Sequence, residues 1–578
     1  MMRMLPVLLL SGLSLAGQSV FNLAPEMRRV ETEATLSSAG WLQETAAIRA
    51  GFSIEPETPF NWIFSPGETV QLRCTSGNIQ RGELHLTVWD WNGIPVAKKT
   101  LRCPVDETLI FNITGRGTWL LTLDQVENGT VAARLPKSFA VLPSNEAQRS
   151  RWSMDGEFFL GSCMFPARLN GKNSFGPFCP APLTADETVN KELELDARLG
   201  LSIERISCSA LVDSNRKSGG FPVDYSAQDQ LVDLIAGKGF QVALQLGGLP
   251  WMQRAGNSGA AAWWQLPPET ECFRRFAGEF LSRYAKHAAF VEVMNEPDND
   301  HFWRGTADEY IEIFQIAAEE SRKLSRPVKL LCGGLTPLAA PDDLIKQEKT
   351  TGILTAALDS PFIPFHAHGD LTRIRTHYEN LNAIAERAGA KNISFIQTEG
   401  GDAAWRLDKE ISQAVTHMQK LFFGRANGAE GWLFYATRWQ GGPRMQIPPA
   451  DGGTPAGWGY LDYYFCPRFA YGAIGAFADV YAGARFERKL AETEDLFVYE
   501  FSRGNDRLIA FFTLFQTRAG GTKKNISFKA DAGGIQLLDA MGNVVRTFSA
   551  GTAAVTASAY PQTLIFKNAS TINLQESK

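Results

Sequence analysis

The 578-residue sequence has no CxxC pair and only seven histidines. The ligand spacings of a structural zinc site and of a thioredoxin-like redox motif are therefore both missing. There is no excess of positive charge either: the formal net charge is −5, and no basic field argues for a nucleic-acid partner. No apolar run is long enough for a membrane-spanning helix. No Gly-rich phosphate loop follows the first strand of the α/β region, which counts against an open, doubly wound dinucleotide fold. Internal repeats and low-complexity tracts are lacking. What remains is an ordinary globular composition, 44% hydrophobic and 21% charged, in a chain too long for one core. Tryptophan is plentiful, with 14 in the chain, and flat aromatic faces suit the apolar faces of sugar rings.

The N-terminus has the pattern of a secretory signal over residues 1–17. Arg3 supplies the charge, Leu5 to Leu15 a short apolar run, and Ser14-Leu15-Ala16 a small-residue cleavage site. The expectation is a secreted or periplasmic protein without a membrane span. The cysteines are Cys74, Cys103, Cys163, Cys179, Cys208, Cys272, Cys332 and Cys466. Cys74 could pair with Cys103, and Cys163 with Cys179. Cys208 and Cys332 lie in apolar strand-like runs that suit buried free thiols.

Three regions follow. Residues 18–147 contain short alternating runs such as Val70 to Cys74, Leu84 to Trp89, Thr118 to Leu123 and Ser138 to Leu142, split by Gly, Asn, Asp and Pro turns. That pattern predicts an N-terminal β-sandwich, with a further helix within residues 26–50. Residues 148–483 alternate apolar strands with amphipathic helices. The strands are expected at Phe158 to Ser162, Ser202 to Ser207, Val242 to Leu246, Phe290 to Met294, Lys329 to Cys332, Phe362 to His366, Ser394 to Thr398 and Gly431 to Tyr435. Eight such units predict a (β/α)8 TIM barrel. Residues 484–578 return to strands, Leu496 to Phe501 and Arg507 to Phe512 being the clearest, and predict a C-terminal β-sandwich.

Chemistry concentrates where two apolar runs end in a glutamate at a breaker: Val291-Glu292-Val293-Met294-Asn295-Glu296-Pro297 and Phe395-Ile396-Gln397-Thr398-Glu399-Gly400. By strand count Glu296 closes the fourth strand and Glu399 the seventh, at the carboxyl ends where a barrel builds its active site. Two carboxylates across one pocket are the minimum machinery for cleaving a glycosidic bond. A separation of ~5–5.5 Å goes with retention of configuration and ~6.5–9.5 Å with inversion. Glu292 shares its strand face with Met294, and a turn after Asn295 frees Glu296 from that alternation.

Asn295-Glu296-Pro297 after a fourth strand resembles the signature of clan A glycoside hydrolases. The resemblance covers residues 150–480 and rests on the order of five elements. It implies Glu296 as general acid/base, Asn295 on the sugar 2-hydroxyl, Glu399 as nucleophile, and Arg205, five residues after Gly200, at the end of the second strand. It also implies a tryptophan under the sugar on the eighth strand, matched by Trp432, and a His-x-Tyr pair on the sixth. The chain has His366-Ala367-His368 there, so His366 matches and the pattern gives His368 no role. Within the clan, the run through Asp298, His301-Phe302-Trp303 and Gly305-Thr306 is most similar to glycoside hydrolase family 39, with family 5 as second choice; Leu249-Pro250-Trp251 points the same way.

Each of these residues also has a purely structural explanation. Many strand ends carry a carboxylate, and tryptophans such as Trp251, Trp303, Trp405, Trp432 and Trp439 often only fill gaps in an outer core. The His366–His368 pair occurs in zinc barrels, but those need more His and Asp ligands than seven histidines so placed allow; the expectation is no metal and no cofactor. Sequons at Asn112, Asn128, Asn392, Asn525 and Asn568 fit chance occurrence. The site residues expected are thus Glu296 and Glu399 for catalysis, with Arg205, Asn295, His366, His368, Trp251 and Trp432 on the carbohydrate. The rival readings are a glycan-binding protein on an inactive barrel and a transglycosylase with the same site.

Overall fold

A computed structural model describes residues 17–23, 50–164, 172–173, 176–177, 179–180, 182–215, 220–252, 263–337, 344–358, 360–389, 394–402, 407–438, 457–515, 522–549 and 551–576. The expected signal run before Gly17, most of the expected helix within 26–50, Trp405, Trp439 and the Asn392 sequon lie outside these residues.

The central sheet has eight parallel strands: β1 (Phe159–Met164), β2 (Ile203–Ile206), β3 (Gln241–Leu246), β4 (Ala288–Val293), β5 (Leu330–Cys332), β6 (Ile363–His366), β7 (Phe395–Gly400) and β8 (Ala429–Phe434). Neighbours pair in the order β5-β4-β3-β2-β1-β8-β7-β6. The ring closes just past β5, where Leu335 bridges Phe365 in parallel. There the Leu335 amide donates to Pro364 at 3.1 Å and the His366 amide to Leu335 at 2.9 Å. This is a (β/α)8 barrel. Each expected strand coincides with an observed one to within a few residues, because runs buried on both faces read as near-continuous apolar segments.

The helices around it are α1 (Ala185–Leu199), α2 (Ser209–Asn215), α3 (Ser226–Gly237), α4 (Thr270–Tyr284), α5 (Ala307–Arg322), α6 (Leu344–Ala356), α7 (Leu371–Arg387), α8 (Leu407–Ala426) and α9 (Phe469–Val480). Their starts are written locally. Thr184 with Glu187 and Thr306 with Glu309 form capping boxes, which satisfy the free amides of the first turn. The Asp370 side chain caps α7. Gly200 ends α1 at φ 92°, a left-handed conformation that glycine adopts without steric cost.

Inside the barrel the side chains form an apolar floor of Phe159, Ile203, Ala243, Phe290, Leu331, Ile396 and Leu433, all buried. Period-two alternation carries the same inward face upward on each strand. Above Ile203 comes Arg205, above Ala243 comes Gln245, and above Phe290 comes Glu292. On β2, β3 and β4 the inward residue thus turns from apolar to polar one step nearer the carboxyl end, which makes the floor apolar and this side of the mouth polar.

Before the barrel, a four-stranded sheet (Gly17–Leu23, Ser53–Pro56, Val70–Thr75, Asp106–Ile113) faces a five-stranded one (Ile63–Phe64, Glu83–Trp89, Pro95–Arg102, Gly117–Glu127, Thr130–Val141). Their shared core includes Trp62, Leu72, Phe111, Trp119 and Phe139. After the barrel, six- and three-stranded sheets enclose a second β core around Val498, Phe511, Phe528 and Phe566. All eight cysteines are free thiols, so neither pairing considered from the sequence is made. Cys163 instead faces the barrel interior and donates to the Thr398 carbonyl at 3.4 Å.

Candidate active site

The turn after β4 sets the site. Met294 and Glu296 both take positive φ, 64° and 40°, a conformation rare for non-glycine residues and found where surrounding structure enforces it. The two left-handed residues flank Asn295, so three consecutive side chains leave the regular alternation at the mouth of the barrel.

Arg205 organises the carboxylates. Its Nε donates to Glu292 at 2.6 Å, its Nη1 to Glu399 at 2.6 Å and its Nη2 to Asn295 Oδ1 at 3.1 Å. Gln245 Nε2 donates to the same Asn295 oxygen at 2.9 Å. With its oxygen doubly occupied, Asn295 has its amide NH2 left to offer a ligand hydroxyl. Glu292, to which the sequence assigns no role, is a third buried carboxylate and pairs with the guanidinium from below.

Glu296 and Glu399 meet through histidine. His366 Nδ1 lies 2.6 Å from Glu296 Oε1 and 3.7 Å from Glu399 Oε2. Asn299 Nδ2 donates to the other Glu296 oxygen at 2.7 Å. His368 Nε2 stands 3.4 Å from Glu399 Oε2, and its ring contacts those of Tyr435 and Trp458 edge-on, both at 5.2 Å. One donor atom from each of Glu296, His366, His368 and Glu399 falls within 4.8 Å of all the others. Two carboxylates and two imidazoles are donor types that could hold a divalent cation, and the Arg205–Glu399 ion pair would compete with such ligation.

Burial by itself would raise the Glu399 carboxyl, but the adjacent His366, Arg205 and His368 outweigh it and hold the group well below the usual carboxylate range. Burial likewise opposes charge on His366, yet Glu399 and the hydrogen-bonded Glu296 raise its imidazole above the ordinary value. The arrangement therefore favours the ionised form of Glu399 and the protonated form of His366.

A cavity of about 510 Å³ opens on this cluster. Arg205, Gln245, Asn295 and Glu399 form its polar end; Leu249, Met252, Trp264, Leu266 and Phe302 supply an apolar wall. Six of the eight expected site residues meet and two do not. Glu296, Glu399, Arg205, Asn295, His366 and His368 come together at the barrel mouth. Trp251 sits in a 3-10 turn, Pro250–Met252, with its ring edge-on to Phe221 at 4.9 Å, and is not among the cavity-lining residues. The eighth, Trp432, corrects the sequence reading. It is fully buried and packs outward, against Phe365 and against α8, where Gly424 leaves room for its ring. Gly431 and Leu433 point inward on β8, so alternation gives the inward aromatic position to Tyr435, which does line the cavity. Tyr435, Gln245, Trp264 and Trp458 were all missed; strand parity alone would have found the first two.

His366 owes its place to a missing side chain. A Cβ on Gly334 would overlap His366 Nε2 and stand 2.9 Å from Thr398 Oγ1. Gly334→Ala is expected to push the imidazole off Glu296 and lower kcat by on the order of 10²-fold, with a stability loss of about 1–3 kcal/mol from overpacking. Steady-state kinetics beside a denaturant melt would check both, and unchanged kcat in the variant would remove the glycine from this role.

No family model and no curated protein sequence matches the chain. Solved structures do. The chain is similar to a family 39 glycoside hydrolase from the gut symbiont Bacteroides cellulosilyticus, at 17% identity and a TM-score of 0.61, over 89% of this chain and 100% of that one. The two share a fold. A GH30 endoxylanase from Clostridium papyrosolvens aligns at 14% identity and a TM-score of 0.47, over 71% of this chain and 96% of that one.

Proposed function

We propose that the protein is a retaining β-glycoside hydrolase acting on a polysaccharide or oligosaccharide outside the cytoplasm. The observation that carries this reading is the pair of Glu296, in the turn just past β4, and Glu399, on β7, with one oxygen of each within 4.8 Å of the other. Two carboxylates this near each other support retention, for which the carboxyl groups stand ~5–5.5 Å apart. The likeness in fold to a protein described as a family 39 glycoside hydrolase agrees with it, and the charged leader around Arg3 with its apolar run supports export.

In this reading Glu399 attacks the anomeric carbon while Glu296 gives its proton to the departing glycosidic oxygen. A covalent glycosyl ester forms on Glu399 and the leaving alcohol departs neutral. Glu296, now a carboxylate, takes a proton from water, whose oxygen attacks the same carbon and frees Glu399. Arg205 and the two histidines hold Glu399 ionised for attack, and the Asn295 amide is free to bind the sugar beside it. No cofactor enters these steps. The test is the configuration of the first product. With an aryl β-glycoside panel followed by 1H NMR, the β-hemiacetal should appear before mutarotation. Initial release of the α-anomer, or no turnover across the panel, would sink the proposal.

A further inference from the structure

Lys420 lies in the middle of α8, fully buried, and no step above uses it. Its ammonium donates to three backbone carbonyls: Ala367 at 2.8 Å, Gly369 at 2.9 Å and Gly401 at 3.0 Å. Ala367 and Gly369 flank His368 in the loop after β6. Gly401 is two residues past Glu399 in the loop after β7. A protonated amine has three N–H groups and no more, so the three bonds saturate it. The pattern joins the two strand ends that carry His368 and Glu399 to one point behind the site.

We propose that Lys420 is a positioning residue: its charged ammonium clamps the loops after β6 and β7 together and so fixes His368 against Glu399. The consequence follows from counting donors. A neutral amine keeps two N–H groups and gains a lone pair. Loss of one proton therefore leaves one of the three buried carbonyls unpaired and turns a lone pair toward oxygen, which loosens one loop from the other.

Burial pushes the Lys420 ammonium down to about 8, against the opposing pull of Asp402 and Asp370. Among the described residues, the titratable groups that act on it are Asp370 at the start of α7, Asp402 after β7 and His417 on the preceding turn of α8. Burial and the Lys420 charge keep His417 far below its ordinary value, thus neutral. The clamp is then closed at neutral pH and open in mildly alkaline solution. The sign of the stability effect is distinctive. The folded-state value lies below that of an unfolded lysine, so between about 8 and 10.5 the unfolded chain binds more protons and this group makes the fold more stable as pH rises. Activity should fall where the contribution of Lys420 to stability rises, which a general loosening of the fold would not produce.

The experiment is a pH titration from 6.5 to 9.5 on the full chain, with 13C-labelled histidine Cε1 resonances, kcat and melting temperature read together. Seven histidines make His368 assignable from the spectrum of His368→Gln. The wild type should show the His368 resonance moving with a midpoint near pH 8, kcat falling at least fivefold, and no matching drop in melting temperature. Lys420→Arg keeps its charge throughout, so its His368 resonance should stay flat over the same range and any turnover it retains should lose the alkaline limb. A wild-type resonance that does not move, or the same midpoint in Lys420→Arg, would overturn the proposal. Should the arginine variant not fold, the wild-type titration decides. The kcat arm rests on the glycosidase reading; absent turnover with the resonance shift intact would count against that reading and support the clamp.

Discussion

Glu399→Gly should lower kcat/KM on aryl β-glycosides by on the order of 10⁵-fold, about 7 kcal/mol of transition-state stabilisation. The fold should tolerate the change, because Arg205 keeps its 2.6 Å bond to Glu292 and no guanidinium is left buried without a counter-charge. A loss of that size with a near-native melting temperature would mark the carboxylate as chemical rather than structural. The glycine also leaves space beside the anomeric carbon on the face the carboxylate attacked. Added azide should restore part of the rate and give the α-glycosyl azide, the configuration opposite to the substrate. Recovery of a β-azide, or a variant within tenfold of wild type, would remove Glu399 from the nucleophile's role.

Glu296→Ala should behave differently according to what leaves. General acid assistance contributes ~10²–10⁴-fold, and it matters only when the departing oxygen needs a proton. Alkyl glycosides and natural oligosaccharides should lose most of that factor. Dinitrophenyl glycosides, whose phenolate leaves unaided, should form the glycosyl-enzyme at nearly the wild-type rate and then stall, since Glu296 also activates the water. The expected record is a pre-steady-state burst followed by slow turnover, with kcat rescued by azide as the β-product. Equal losses on both substrate types would say that Glu296 acts on binding or structure and not as the proton donor. Asn299 and His366 each lose a hydrogen-bond partner in this variant, so a melting curve belongs beside the kinetics.

The barrel was legible because its strands are short apolar runs with breakers at their carboxyl ends, a pattern that local sequence carries in full. Glu296, Glu399, Arg205 and Asn295 were legible for a related reason: each sits at a strand end or the turn just past it, where a polar residue breaks an apolar run. Glu292 was placed on the strand face of Met294 but given no role, because the reading followed the motif to Glu296. Phe290 and Glu292 point the same way, and the barrel needed an anion under Arg205. Trp432 was misplaced because the resemblance to a strand-eight tryptophan was followed where parity should have decided between it and Tyr435. Trp264 and Trp458 arrive from loops far along the chain, and no local pattern could have brought them to the mouth. The Lys420 clamp is equally silent in sequence: a lysine on an amphipathic helix reads as solvated until three carbonyls are seen around it.

The ring of the barrel is uneven. Seven of its joins are ladders between named strands. The eighth, between β5 and β6, depends on the two Leu335 hydrogen bonds, and Pro364 has no amide with which to lengthen it. Local opening follows the fewest bonds, so breathing of the cylinder has a preferred direction. The expected opening is between β5 and β6, where Gly334 lies against His366. Space gained by such a fluctuation appears beneath the imidazole that joins the two glutamates, at the floor of the cleft and away from its rim.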